Sequence, residues 1–129
     1  MNDGIPPEVV ELLRGRIDSF EKLELVVALH RAPAQTISVE AASRQLHLPR
    51  DVVRQVVQEL RAASLVFHGR NGEIQLLPPT ERDRTSLLAL VRTYDENRLA
   101  IVKTLNAKAM DRIRDLATFA FTDRGSDET

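Results

Sequence analysis

Arg44, Arg50, Arg54, Arg61 and Arg70 fall within a window that holds only two acids, Asp51 and Glu59, giving it a local charge of +3. A guanidinium donates in a planar fork that fits the oxygens of a phosphate or the O6/N7 edge of a guanine, so arginines grouped on one face are equipped to hold a polyanion. A solvated outer face would carry similar charges. The 129-residue chain is close to neutral at −1 and no long segment of it is basic: residues 1–16 carry two basic and three acidic side chains, 17–79 seven of each and 80–129 nine of each, so any such binding would belong to the window rather than to the whole surface. Other chemistry is poorly supplied. His30, His47 and His68 fall on a helix end, a turn and a strand, without the i, i+4 spacing of a helical metal site, so no metal is expected. There is no cysteine, hence no disulfide, thiolate or zinc finger. Gly69 and Gly72 belong to a hairpin and the other glycines are isolated, leaving no phosphate loop, and no serine sits in a nucleophile elbow. Asp95 and Glu96 are adjacent and read as solvated. The expectation is a binding protein, not an enzyme, with no cofactor.

The elements that must position the arginines are legible on either side of them. Pro49, tolerated in the first turn of a helix, opens "PRDVVRQVVQELRAAS", a helix expected over 49–63. At about 100° per residue from Arg50, Val53, Val56, Val57 and Leu60 occupy roughly 240–340°, a core stripe, whereas Arg50, Arg54, Gln58 and Arg61 share roughly 0–80°. Asp51 and Glu59 stand further round. β-Branched valines are weak helix formers, so this helix must depend on packing. Before it, "QTI" suggests a small edge strand, and Ser38 caps a helix over 38–47 with Glu40 in its first turn. After it, "VFHGRNGEIQLL" reads as two strands over 65–77 around Asn71-Gly72, a pair suited to a two-residue turn with both residues at φ > 0.

Helix, strand, helix, helix and hairpin follow one another in that order. The stretch from Thr36 to Leu77, carried by "TISVEAASRQLHLPRDVVRQVVQELRAASLV" and the hairpin after it, resembles the winged helix-turn-helix of bacterial transcriptional regulators, including the MarR type. The resemblance covers about 42 of the 129 residues and implies a DNA-binding regulator. It places Arg50, Asp51, Val52, Arg54, Gln55 and Gln58 on or near the groove-facing side of the second helix and Arg70 at the tip of a short wing. Where such regulators usually carry glycine ahead of "LV", this chain has Ser64. Winged helices also serve as protein-interaction adaptors, and a hairpin that merely closes the core would look similar.

Upstream, Pro6 and Pro7 open a short helix with Val9, Val10, Leu12 and Leu13 buried and Gly15 ending it. Asp18 with Glu21 suggests a capping box for a helix to about Arg31 whose buried face includes Phe20, Leu23, Val26, Val27 and Leu29. Downstream, Thr80 and Asp83 begin a helix carrying Leu87, Leu88, Leu90, Val91 and Tyr94. "DENR" interrupts it, Leu99, Ile101, Val102 and Leu105 resume the pattern, and a last helix is expected from Met110 to Phe121. Helices beyond the needs of a winged-helix core must bury their stripes on the domain or on a second subunit, so a homodimer is one expectation. Phe119 and Phe121, partly outside the last stripe, are candidates for contact with a protein partner. The fold class expected is mainly α with a small β-hairpin: a winged helix-turn-helix domain over 1–79, a helical extension over 80–122 and a disordered tail over 123–129. With 43% apolar and 29% charged residues, no apolar run long enough to span a bilayer and an acid-bearing N-terminal stretch unlike a signal peptide, the chain is expected to be cytoplasmic, with no membrane partner. Two functions stay open, a DNA-binding regulator and an adaptor that grips protein through the C-terminal helices.

Overall fold

Pro7 occupies the first turn of helix α1 (Pro7–Arg14), where its missing N–H costs nothing, and Val9, Val10, Leu12 and Leu13 turn inward. A computed structural model describes residues 4–107 and Met110. In helix α2 (Phe20–Arg31), the cap is Ser19 rather than Asp18: its Oγ accepts from the Lys22 N–H at 3.2 Å, while Asp18 pairs with Lys22 Nζ at 2.8 Å. Ser19 is extended (φ −137°, ψ 159°), so its short side chain reaches an N–H three residues on, as a cap must. Leu23 and Leu25 through Leu29 are all buried, which makes α2 the central helix. Phe20, expected inside, is 40% exposed because it sits at the first turn, where α2 emerges from the core.

A short 3₁₀ turn (Pro33–Gln35), in which Ala34 and Gln35 both take positive φ, leads to β1 (Thr36–Ser38). Ser38 caps α3 (Val39–Leu46) through the Ala41 N–H at 3.0 Å, and His47 in the left-handed conformation ends it. Helix α4 (Arg50–Ala62) buries Val53, Val56, Val57 and Leu60, the stripe that the helical spacing predicts. It closes in a Schellman motif: the Leu65 N–H donates to Leu60 C=O at 3.0 Å and the Ser64 N–H to Arg61 C=O at 2.9 Å, with Ser64 at φ +62°. The left-handed position therefore does fall on the serine.

β2 (Val66–His68) and β3 (Glu73–Leu76) complete an antiparallel sheet of order β1-β3-β2. Register puts Ile37 opposite Ile74 and Val66 opposite Leu76, all buried against the helices, while Phe67 pairs with Gln75 on the outer face and is 53% exposed. The hairpin turn differs from the expected two-residue form. Gly69 N–H donates to Glu73 C=O at 2.8 Å and Gly72 N–H to Gly69 C=O at 3.2 Å, so Arg70, Asn71 and Gly72 form a three-residue loop. In it Gly72 alone has positive φ, +77°. A β-turn followed by one left-handed glycine is the next commonest solution after the two-residue turn, and only one residue then needs to be glycine.

Thr80 caps α5 (Glu81–Glu96), accepting from the Asp83 N–H at 3.0 Å, and the helix stops at Asn97 before α6 (98–107). Leu87, Leu90, Val91, Ala100, Ile101 and Leu105 join the core, while Leu88 and Leu99 stay exposed at 49% and 64%. α5 packs on α1. At that seam Arg16 grips Asp83 through both carboxylate oxygens, at 2.5 and 3.2 Å, and reaches Ala63 C=O at 3.4 Å. The Arg16 hydrogen bond lowers the Asp83 pKa, against the opposing effect of its partial burial. On the far side, Tyr94 and Arg98 both donate to Glu24 at 3.1 Å, and the Arg98 guanidinium lies 5.7 Å from the Phe20 ring centre and 5.3 Å from that of Tyr94. Desolvation first, then the hydrogen bond to Glu24, raises the Tyr94 pKa. Helix α6 is thus held to α2 by a cation between two rings. No described helix is long and apolar enough to cross a membrane. The expected helix from Met110 to Phe121, with Phe119 and Phe121, and the tail over 123–129 lie outside the described residues except for Met110, which is exposed.

Candidate nucleic-acid interface

What carries the arginines is the angle between α3 and α4. Ser43 Oγ donates to Leu48 C=O at 2.5 Å and the Leu48 N–H returns to Ser43 C=O at 3.1 Å, fixing the turn between the two helices. The N-terminal end of α4 is thereby set against the C-terminal half of α3, from where the Arg50 side chain reaches Glu40 in the first turn of α3. The hairpin is tied to the other end of α3, because the Val39 N–H at its start donates to Gly72 C=O at 3.1 Å. That hydrogen bond continues the β1–β3 pairing by one residue, and together they set the tip of the hairpin beside the start of α3.

Between these elements lies an open groove of about 390 Å³, lined by Glu40 from α3, Arg50 and Arg54 from α4, and His68, Arg70 and Asn71 from the hairpin. Three of the sequence-predicted residues, Arg50, Arg54 and Arg70, meet there. Arg54 is one turn beyond Arg50 on the same face, and both are more than half exposed. The groove is not purely cationic. Arg50 Nη2 lies 3.0 Å from Glu40 Oε1, and Arg54 Nη1 lies 3.4 Å from Asp51 Oδ1. Arg70 has no ion pair among the described residues.

The other predicted residues fall elsewhere. Arg44 is exposed on α3, and Gln58 and Arg61 are exposed along the second half of α4, outside the groove. Gln55 lines a different hollow of about 420 Å³ between α4 and the start of α2, along with Asp18, Glu21, Asp51 and Glu59. Its five-residue offset from Arg50 turns it about 140° round the helix, toward these acids and away from the arginines. Lys22 there is already engaged, 2.8 Å from Asp18 and 3.7 Å from Glu59. In the sequence Glu40 reads only as an acid in the first turn of a helix. Its contact with Arg50, ten residues on, depends on the interhelical angle, for which no local signal exists. Of the histidines, His68 borders the arginine groove, His30 Nδ1 lies 3.4 Å from Gln35 Nε2, and His47 ends α3. Among the described residues no cluster of His, Asp and Glu is placed to hold a metal.

No family model matches the chain, and no curated protein matches it. Among solved structures it is similar to the YusO protein from Bacillus subtilis, with a TM-score of 0.51 at 14% identity, over 89% of this chain and 86% of that one. The likeness is one of fold. It extends well beyond the 36–77 stretch, so the flanking helices share in it too.

Proposed function

We propose that the chain is a DNA-binding regulator of the winged helix-turn-helix type, similar to the MarR-like regulators of bacteria and acting in the cytoplasm. The observation that carries this reading is the convergence of Arg50, Arg54 and Arg70 on one open groove between a helix and a hairpin. In it α4 lies in the major groove, where Arg50 and Arg54 contact guanine edges or phosphates. The hairpin is a short wing whose Arg70 takes a backbone phosphate. Arg44, Gln58 and Arg61 flank this footprint and add phosphate contacts. Self-association through the C-terminal helices, where Leu88, Leu99 and Met110 are exposed, would set two α4 helices about 34–36 Å apart, one turn of B-DNA.

The adaptor reading draws on a specific observation as well: carboxylates already accompany two of the three groove arginines, and the whole chain is net negative. Selection from genomic DNA at about 150 mM salt separates the two readings, since affinity without a stated salt concentration has no meaning. The regulator reading expects an enriched inverted repeat and a dimer in solution. Arg54→Ala should weaken binding to that repeat by about 5- to 150-fold, the range of a lost base contact of about 1–3 kcal/mol. Enrichment no better than that of shuffled sequence would remove this reading and direct attention to protein partners.

A further inference from the structure

The three groove arginines are in unequal states, and this inequality rests on no assumption about sequence reading. Arg50 is paired with Glu40 across the α3–α4 corner, Arg54 with Asp51 within α4, and Arg70 with no described carboxylate. All four paired side chains are exposed, from 55% for Arg54 to 95% for Asp51. Exposed pairs are weak and salt-sensitive, so they can be exchanged for another anion. Glu40 also lines the groove itself, so a phosphate drawn to Arg50 meets a carboxylate already placed on it.

We infer that Glu40, with Asp51 in support, is an internal counter-ion that competes with polyanions for Arg50 and Arg54 and so holds down the general nucleic-acid affinity of the groove. This deepens the DNA-binding reading and rests on it only for its biological setting. The competition itself is a property of the arginines. A phosphate arriving at Arg50 must displace a carboxylate, so the gain is the difference between two similar interactions. Arg70, free of that competitor, makes the first contact. Binding that needs Arg50 therefore has to be supported by further contacts, such as those from Arg54 to a base edge.

The test uses the full chain, a heparin column and a mixed-sequence duplex of about 20 base pairs. Glu40→Gln keeps the shape of the side chain and removes its charge. Glu96→Gln, an exposed acid at the far end of α5, reports the effect of net charge alone. At about 50 mM salt Glu40→Gln should bind the duplex about 3- to 10-fold more tightly than wild type and elute later from heparin, with the difference fading as salt rises. In an Arg50→Ala background the gain should shrink to that of Glu96→Gln, because the competed arginine is gone. A Glu40→Gln protein that behaves like Glu96→Gln, or whose gain survives in Arg50→Ala, would overturn the inference. If Glu40→Gln is retained longer on heparin but genomic selection enriches nothing, the regulator reading fails and the counter-ion stands. If a sequence is enriched and Glu40→Gln elutes with Glu96→Gln, the regulator reading stands and the counter-ion fails.

Discussion

Asp83→Asn offers the sharpest test of how the C-terminal helices are joined to the rest. The carboxylate accepts both Arg16 contacts, at 2.5 and 3.2 Å, and is 17% exposed against 34% for Arg16. Asparagine leaves the helix cap intact, because Thr80 Oγ1 accepts from the residue's backbone N–H and not from its side chain. What disappears is the charge and one of the two accepting oxygens. A charge-assisted bidentate pair is worth more than an ordinary hydrogen bond, yet the guanidinium is a third exposed, so a loss of about 1–2 kcal/mol at pH 7 is expected. The pH dependence supplies the sign. The Arg16 contact lowers the folded-state pKa of Asp83 below its ordinary 3.8, so the stabilisation is complete above that value and is lost as pH falls through the lowered one. Urea unfolding followed by far-UV circular dichroism is the suitable assay, since the chain has no tryptophan. Wild type should exceed Asp83→Asn by that margin at pH 7, and the two curves should converge toward pH 2. A difference under about 0.3 kcal/mol at pH 7, within the range of unremarkable surface changes, would refute the clamp. A difference of the same size at pH 2 would refute its ionic character.

Two further substitutions probe the frame of the arginine groove. Ser64→Gly should raise stability by about 1 kcal/mol, measured as a higher urea midpoint, because Ser64 sits at φ +62° where a Cβ is penalised and glycine is not. Leu60→Ala, at a fully buried position in the middle of the α4 stripe, should cost about 2–5 kcal/mol in the same assay and lower any polyanion binding only in proportion to the unfolded fraction.

Much of the frame was legible in local signals because those signals act over three or four residues. Ser38 and Thr80 cap the helices they precede, Gly15 and Pro49 bound theirs, and the spacing of Val53, Val56, Val57 and Leu60 fixes which side of α4 is buried. The alternation of Glu73 through Leu76 likewise fixes which side of β3 faces inward. Between neighbouring options the local code was less decisive. Ser19 displaced Asp18 as a cap since both can accept from a helix N-terminus, and the hairpin took a three-residue loop since Asn71-Gly72 is compatible with more than one turn.

The candidate site divides in the same way. That Arg50 and Arg54 share a face follows from the pitch of a helix, and a residue five positions from Arg50 must turn well away from it. The meeting of Arg70 with them does not follow, because it depends on the pairing of β1 with β3 and on the hydrogen bond from Val39 to Gly72, partners 33 residues apart. Nor do the Glu40–Arg50 pair, the exposure of Phe20, Leu88 and Leu99, or the grip of Arg16 on Asp83. By itself the sequence determined the elements, their order and the face each would bury, since covalent geometry and apolar periodicity are properties of a short segment. The tertiary structure alone decided which charges became neighbours, because that depends on the angles at which separate elements pack, to which many distant side chains contribute.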